Sequence, residues 1–219
     1  MKKILIVTLA VFMVSSMAMA GTIQNTRHDF SSSGTNTTYR ASNTDEICVH
    51  CHTPHVKSGA ATIPYTPLWN RAANNNTQFY PFTSATLSAG NQKASPFVLS
   101  TVSLACLTCH DGSLANSGTA GGPITNRTVS AISYATGTLV NGNFGTILTG
   151  VHPIAVSLAT ASAASPAAYF ATSQDTSNVV LYNGQVECAS CHNPHINTTQ
   201  PFLVKANSTS AICAACHRY

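Results

Sequence analysis

The sequence predicts a mostly irregular fold with short α-helices and one or two small β-hairpins. The 219-residue chain contains 13 Gly and 10 Pro, which together with Asn and Ser interrupt nearly every apolar run. No segment between its cysteine motifs shows a sustained helical period. Because so little regular structure is expected, the chain needs packing material beyond its own side chains.

All eight cysteines belong to four copies of the pattern C-x-x-C-H. Two cysteines three positions apart on a tight turn can each form a thioether with one vinyl group of a single haem, and the next histidine then reaches the iron. The motifs therefore predict four haem c groups and a multihaem cytochrome c fold packed around a haem stack, with short α-helices at the motifs. The predicted thioether cysteines are Cys48, Cys51, Cys106, Cys109, Cys188, Cys191, Cys213 and Cys216. The predicted proximal iron ligands are His52, His110, His192 and His217.

Structural zinc and a disulfide framework are the alternatives for such cysteine pairs. The spacing of the pairs Cys188/Cys191 and Cys213/Cys216 also suits zinc. Neither alternative needs a histidine directly after every pair. With 9 His in the chain, four such histidines arise by chance with a probability of roughly three in a million.

The second axial ligand decides whether an iron is open to substrate. The four methionines all lie within the first 19 residues, so histidines are the remaining candidates: His28, His50, His55, His152 and His195. The chain repeats one order twice, a histidine, then C-x-x-C-H-x-P-H, then C-x-x-C-H. This repeat predicts four distal ligands, His28, His55, His152 and His195.

His50 has no counterpart in the other motifs and is interpreted as a surface or hydrogen-bonding histidine. His55 and His195 follow a proximal histidine by three residues, with a proline between. Each is too close to that ligand to reach the opposite face of the same ring easily. We expect each to bind a neighbouring haem.

Residues 1–20 predict an export signal, with Lys2 and Lys3 before an apolar run and Ala18 and Ala20 before the cleavage point. The mature chain, 21–219, is predicted to be a tetrahaem domain of two dihaem modules, about 21–125 and 126–219. We expect it to be secreted or on the cell surface, with the periplasm as the alternative. No later apolar stretch has membrane length.

Charged residues make up 7% of the chain, against about 25% in an average globular protein. So few basic residues exclude a nucleic-acid interface. Loss of Lys2 and Lys3 lowers the net charge from +4 to +2, and haem propionates would make the loaded protein acidic. A surface with so little charge favours association between molecules.

Two hairpins and two linkers are predicted. Residues 179–182, Asn183-Gly184 and 185–186 form the clearest strand-turn-strand pattern, and 131–148 contain a second possible hairpin. Segments 116–126 and 159–168 are rich in small residues, and either could separate the modules. The aromatic cluster Tyr65, Trp69, Phe79, Tyr80 and Phe82 is interpreted as packing around an apolar cofactor.

The order of these motifs resembles the multihaem c-type cytochromes with doubled C-x-x-C-H motifs. The doubled motifs C-x-x-C-H-T-P-H at Cys48–His55 and C-x-x-C-H-N-P-H at Cys188–His195, together with His28-Asp29 and His152-Pro153, carry the resemblance. The predicted tetrahaem size and hydroxyl-rich composition are similar to the extracellular filament-forming cytochromes of metal-reducing microbes, the OmcE type. The resemblance implies the proximal and distal ligands given above and a head-to-tail homopolymer. It also implies periplasmic or outer-membrane cytochromes as electron donors, and extracellular acceptors.

Three functions remain in competition. The preferred one is an extracellular electron conductor without enzymatic activity, because four irons are matched by enough histidines to close every axial position. A discrete periplasmic shuttle of the cytochrome c3 kind is the nearest rival, but such shuttles are lysine-rich, whereas this mature chain keeps only Lys57, Lys93 and Lys205. A multihaem nitrite- or hydroxylamine-converting enzyme is the third, and the clustered Lys, Arg or Tyr of an open anion site are missing.

Overall fold

The computed structural model describes residues 23–36, 40–53, 63–66, 68–70, 78–99, 101–112 and 142–219. Three of the predictions fall outside these ranges: the export signal, the distal ligand His55 and the module boundary near residue 125. Most of the second possible hairpin and the linker 116–126 also lie outside the described residues.

Regular structure in the described ranges is sparse, as predicted, because short runs between turn-forming residues leave no room for long elements. The helices are α1 (Ser103–His110), α2 (Leu158–Ala164) and α3 (Cys188–Cys191). The strands are β1 (Gln78–Phe79), β2 (Phe97–Val98), β3 (Val156–Ser157) and β4 (Gln185–Val186). Single turns of 3₁₀ helix span Cys48–His50, Ala89–Asn91, Ser208–Ser210 and Cys213–Ala215.

The strands form two antiparallel pairs, β1 with β2 and β3 with β4. The predicted turn at Asn183-Gly184 is confirmed: both residues have positive φ angles, 52° and 72°, and Tyr182 and Gln185 form a bridge across it. Positive φ at both central positions is the geometry that matches the twist of a two-residue hairpin. The predicted strand 179–182 is wrong for residues 179–181, which form no strand. Only Tyr182 is bridged across the turn, and β4 pairs with β3 instead.

The small-residue run 159–168, one of the two segments that could separate the modules, forms most of α2. Alanine has the highest helix propensity, and the side chain of Ser157 caps the helix by accepting a hydrogen bond from the Thr160 N–H at 3.2 Å. The small residues of this run therefore form a helix.

The larger apolar core surrounds α1. Leu104, Ala105 and Leu107 of α1 are at most 4% exposed and pack with Phe79, Leu99, Ile63, Leu148 and Ala155. A second cluster, Val179, Ile212 and Ala215, packs against the motif cysteines Cys191, Cys213 and Cys216. The core of each part of the fold thus adjoins the C-x-x-C-H motifs.

Residues from the two predicted modules interlock. The buried side chain of Asn91 donates a hydrogen bond to the Ser157 carbonyl at 2.8 Å and accepts one from the Ser157 N–H at 2.8 Å. Tyr80 forms a parallel bridge with Ile147, and its carbonyl accepts a hydrogen bond from the Leu148 N–H at 2.8 Å. Residues 78–99 are therefore fixed against residues 142–219. Among the described residues, no helix is long and apolar enough to cross a membrane.

Candidate haem-binding sites

Each C-x-x-C-H motif lies on one helical turn, but the predicted α-helix is found at only two of the four motifs, because the turns at Cys48 and Cys213 are 3₁₀. The motifs start the 3₁₀ turns at Cys48 and Cys213, end helix α1, and form α3. In three of them the histidine N–H donates to the carbonyl of the first cysteine, at 2.8 Å for His52, 3.0 Å for His192 and 2.9 Å for His217. Such a turn brings both thiols and the imidazole to one side of the chain.

Helix α1 separates an apolar side from a motif side. Leu104 and Leu107 face the core at 4% and 2% exposure, whereas Cys106, Cys109 and His110 are half-buried. Positions i, i+3 and i+4 share one face of a helix, so these three side chains point the same way. The helix can thus hold a haem on one face while the other packs into the core.

Three of the predicted proximal histidines each face a predicted distal histidine. An imidazole nitrogen binds a metal at about 2 Å, so two imidazoles on opposite faces of one iron place their ring centres roughly 6 Å apart. The three observed separations are 6.1 Å for His110 and His28, 6.0 Å for His52 and His195, and 6.4 Å for His217 and His152. These residues fit an iron with two axial imidazoles.

The orientation of the ring planes differs among the pairs. The rings of His52 and His195 are nearly parallel, at 16°. The other two pairs are close to perpendicular, at 84° for His110 and His28 and 90° for His217 and His152. Both orientations are compatible with axial ligation, because each imidazole can rotate about the bond from its nitrogen to the metal.

The electrostatic environment favours the neutral form of three candidate ligands, His28, His195 and His217. Burial lowers the pKa of His28 to about 4, with smaller contributions from His110, His192 and His195. Burial also lowers the pKa of His195, with help from His52, and that of His217, with help from His152. Only the neutral imidazole has a lone pair for a metal, so these shifts favour ligation.

Four of the candidate ligands are oriented by a hydrogen bond at Nδ1. The partners are the Gly142 carbonyl for His110, the Pro201 carbonyl at 2.9 Å for His192, the Pro153 carbonyl at 2.9 Å for His152 and the Asn193 side-chain oxygen at 3.1 Å for His195. An oxygen partner requires the proton on Nδ1, which leaves the Nε2 lone pair for a metal. Metal-binding histidines are commonly held in this way.

Thiols of different motifs lie next to one another. The Cys106 thiol interacts with the Cys188 thiol, and this interaction together with burial raises the pKa of Cys106. Burial raises the pKa of Cys191 to about 11, with smaller contributions from Cys216, Cys213 and Cys188. The attachment points of neighbouring motifs are therefore close together.

Aromatic side chains pack around the histidine pairs. The Phe202 ring lies 4.5 Å from the His28 ring, and the Trp69 ring stands edge-on to His52 at 6.1 Å. His152 borders a shallow cleft whose walls include Phe82, Phe97, Val151 and Ile154. Within the predicted aromatic cluster, Phe79 is a core residue at 1% exposure.

The remaining histidines of the prediction are placed as follows. His192 carries its Nδ1 hydrogen bond, and the remaining predicted distal ligand, His55, lies outside the described residues. His50 is buried at 3% exposure, with its ring edge-on to Phe30 at 5.8 Å, so it is not a surface residue. It forms none of the three facing pairs.

The zinc and disulfide alternatives receive no support from the described residues. No disulfide joins any of the eight cysteines, all of which lie in the described ranges. No group of three or more His, Cys, Asp or Glu side chains in the described ranges converges as a metal site would require.

Comparison with known families matches residues 182–219 to the model of the doubled CXXCH motif. The match supports a multihaem c-type cytochrome. The motifs indicate covalently bound haem c, and proteins of this kind are typically electron carriers that are exported. No curated protein matches the chain.

Sequence reasoning missed the oxygens that orient the imidazoles. Two of the four lie within two residues of their histidine, at Pro153 and Asn193, and the Asn-Pro in C-H-N-P-H could have indicated the second. Gly142 and Pro201 are 32 and 9 residues from their partners, and no local pattern marks them. The buried Glu187 directly before Cys188 was missed as well.

Proposed function

We propose that this cytochrome is an exported electron carrier that holds four haem c groups, each iron between two imidazoles. The observation that carries the proposal is the set of three histidine pairs whose ring centres lie 6.0 to 6.4 Å apart. Haem iron with two axial histidines cycles reversibly between ferrous and ferric states and offers no free position to a substrate. The protein therefore moves electrons and carries out no bond chemistry.

The pairs support one distal ligand for each of three attachment sites. His28 serves the haem at Cys106–Cys109, His195 the haem at Cys48–Cys51, and His152 the haem at Cys213–Cys216. By elimination, the predicted ligand His55 serves the haem at Cys188–Cys191 with His192. His195 thus follows the motif of one haem and binds the iron of another, which joins the two motifs.

The side chains and carbonyls around the histidine pairs orient the imidazole rings. The Nδ1 partners fix ring rotation and tautomer, and burial keeps His28 and His195 neutral. Fixed ligands keep the change in geometry between the two oxidation states small, which favours rapid electron transfer.

The intact mass of the mature exported protein tests the number of haems. We expect the mass of the polypeptide from residue 21 plus four haem groups, with no thiol available to alkylation. The matched control is the Cys213→Ala/Cys216→Ala variant, in which three haems remain. Zinc in place of iron, or unmodified thiols in the native protein, would overturn the proposal.

The finer proposal is an extracellular filament, built by head-to-tail association of this chain, that accepts electrons from periplasmic or outer-membrane cytochromes and delivers them to extracellular acceptors. The low fraction of charged residues, 7%, and several exposed apolar side chains support this proposal. These side chains are Tyr65, Leu68, Tyr80, Val98, Phe144, Ile147, Val180, Ile196 and Tyr219. Negative-stain microscopy of the secreted fraction decides between filaments and the dispersed monomers that a periplasmic shuttle requires.

A further inference from the structure

The starts of α1 and α3 meet in a buried polar contact. Glu187, which precedes Cys188 of α3, is 2% exposed, and Ser103 at the start of α1 is fully buried. A carboxylate is rarely buried unless the surrounding groups donate hydrogen bonds to it. The sequence gives no role to Glu187 in haem attachment or ligation, so its burial needs another explanation.

Hydrogen bonds from both helices converge on this carboxylate. Oε2 of Glu187 accepts a hydrogen bond from the Thr101 hydroxyl at 3.0 Å and another from the Ser103 hydroxyl. The Ser103 oxygen in turn accepts one from the Cys188 N–H at 2.9 Å. Ser103 is therefore bonded to α3 twice, once through Glu187 and once through the first backbone N–H of the helix.

A second serine bonds to Glu187 only within α3. The Glu187 N–H donates to the Ser190 hydroxyl at 3.0 Å, and the Glu187 side chain accepts from the Ser190 N–H, which together form a capping box. Ser190 is fully buried, as Ser103 is. The two serines thus differ in one respect, since only Ser103 connects α3 to α1.

This contact lies beside a point where two motifs are neighbours, because the thiols of Cys106 in α1 and Cys188 in α3 interact. In the proposed function these cysteines carry different haems. Electron transfer between the two haems held there would oxidise one iron from ferrous to ferric and reduce the other from ferric to ferrous, with no further reactant. Its rate falls steeply with the distance between the ring edges, so the relative position of α1 and α3 controls it.

We propose that Glu187 and Ser103 are positioning residues that fix the relative placement of the haems attached at Cys106–Cys109 and Cys188–Cys191. The proposal rests on the proposed function, because it needs a haem at each of these sites. It adds a role for two residues outside the motifs and their ligands. Buried hydrogen bonds suit this role, because breaking one leaves an unsatisfied polar group and favours a shift of the helices.

The test compares Ser103→Ala with Ser190→Ala in the haem-loaded protein. Both variants lose a fully buried hydroxyl and its hydrogen bonds, so they have a similar cost in stability. The readout is the magnetic coupling between the two ferric haems, measured by electron paramagnetic resonance at two frequencies. We expect Ser103→Ala to weaken the coupling and Ser190→Ala to leave it unchanged.

Glu187→Gln and Glu187→Met give a second comparison. Gln keeps an oxygen acceptor for both hydroxyls, so we expect Glu187→Gln to retain the native coupling. Met has no such acceptor, so we expect Glu187→Met to lose the coupling. The control Glu46→Gln removes an exposed carboxylate two residues before Cys48 and should change nothing. Equal coupling in the Ser103 and Ser190 variants, or native coupling in Glu187→Met, overturns the proposal.

The haem content separates this result from a failure of the proposed function. Intact mass shows whether haems are attached at both motifs in each variant. Haems at both sites with native coupling in Ser103→Ala contradict the positioning role alone. Missing haems in the native protein contradict the proposed function itself.

Discussion

Removal of His195 gives the most specific prediction. The structure places this residue opposite His52, the proximal ligand of another motif, with ring planes 16° apart. His195→Ala should therefore leave the iron at Cys48–Cys51 with one imidazole. The iron at Cys188–Cys191, whose motif is only three residues away, should keep both of its ligands.

The relative orientation of the rings makes this iron recognisable. Parallel imidazoles interact with the same iron d orbital and split the d levels strongly, which gives a rhombic low-spin spectrum. Perpendicular rings, as in the pairs at 84° and 90°, nearly cancel this splitting and give a highly anisotropic spectrum. His195→Ala should remove one spin of rhombic signal out of four low-spin haems, and one high-spin ferric iron should replace it.

The assay is quantitative electron paramagnetic resonance of the fully oxidised protein. His152→Ala is the matched control, and it should instead remove one spin of the highly anisotropic signal. Added imidazole should restore the lost signal in each variant. Loss of an anisotropic signal in His195→Ala, or of two spins at once, would contradict the assignment of His195 to His52.

Three further predictions concern local structure and stability. Gly142→Ala should disturb the iron site at His110, because the φ angle of Gly142 is 87° and an added Cβ would lie 3.1 Å from the His110 ring. Gly150→Ala is the control, because the space around Gly150 is open. Identical low-spin spectra for both variants would refute the argument. Leu107→Ala should lower the free energy of unfolding by about 2 to 5 kcal/mol, since the side chain is 2% exposed in the core, and a denaturant titration that shows less than about 0.5 kcal/mol would refute this. Hydrogen bonds from Lys205 and Asn178 lower the pKa of Asp175, so its contribution to stability is present above about pH 4 and is lost as the pH falls through the lowered pKa. The difference in melting temperature between the native protein and Asp175→Asn should therefore shrink below that pH. A difference that grows in acid would contradict this prediction.

The chemistry of the sites could be predicted from the sequence because C-x-x-C-H is a local pattern. One turn brings two thiols and an imidazole together, and the four turns formed where the motifs lie. The repeat order also selected the distal candidates His28, His152 and His195, which the structure places opposite proximal histidines. Their roles as ligands stay predictions until iron is observed.

The pairing of these histidines could not be predicted, because it depends on contacts between distant parts of the chain. His28 faces His110, 82 positions away, and no local pattern encodes such a contact. The strand pairing failed for the same reason: β4 follows a tight turn that the sequence indicates, but its partner β3 lies about 30 residues earlier. The helix within the run 159–168 could not be predicted, because small residues suit both a linker and an alanine-rich helix.

Carbon monoxide titration of the fully reduced native protein tests most directly the central claim that every iron is held between two imidazoles. Carbon monoxide binds ferrous haem only where an axial position is open or its ligand is easily displaced. The account predicts no change in the reduced absorption spectrum at stoichiometric carbon monoxide. Uptake of one or more molecules per protein chain would contradict it.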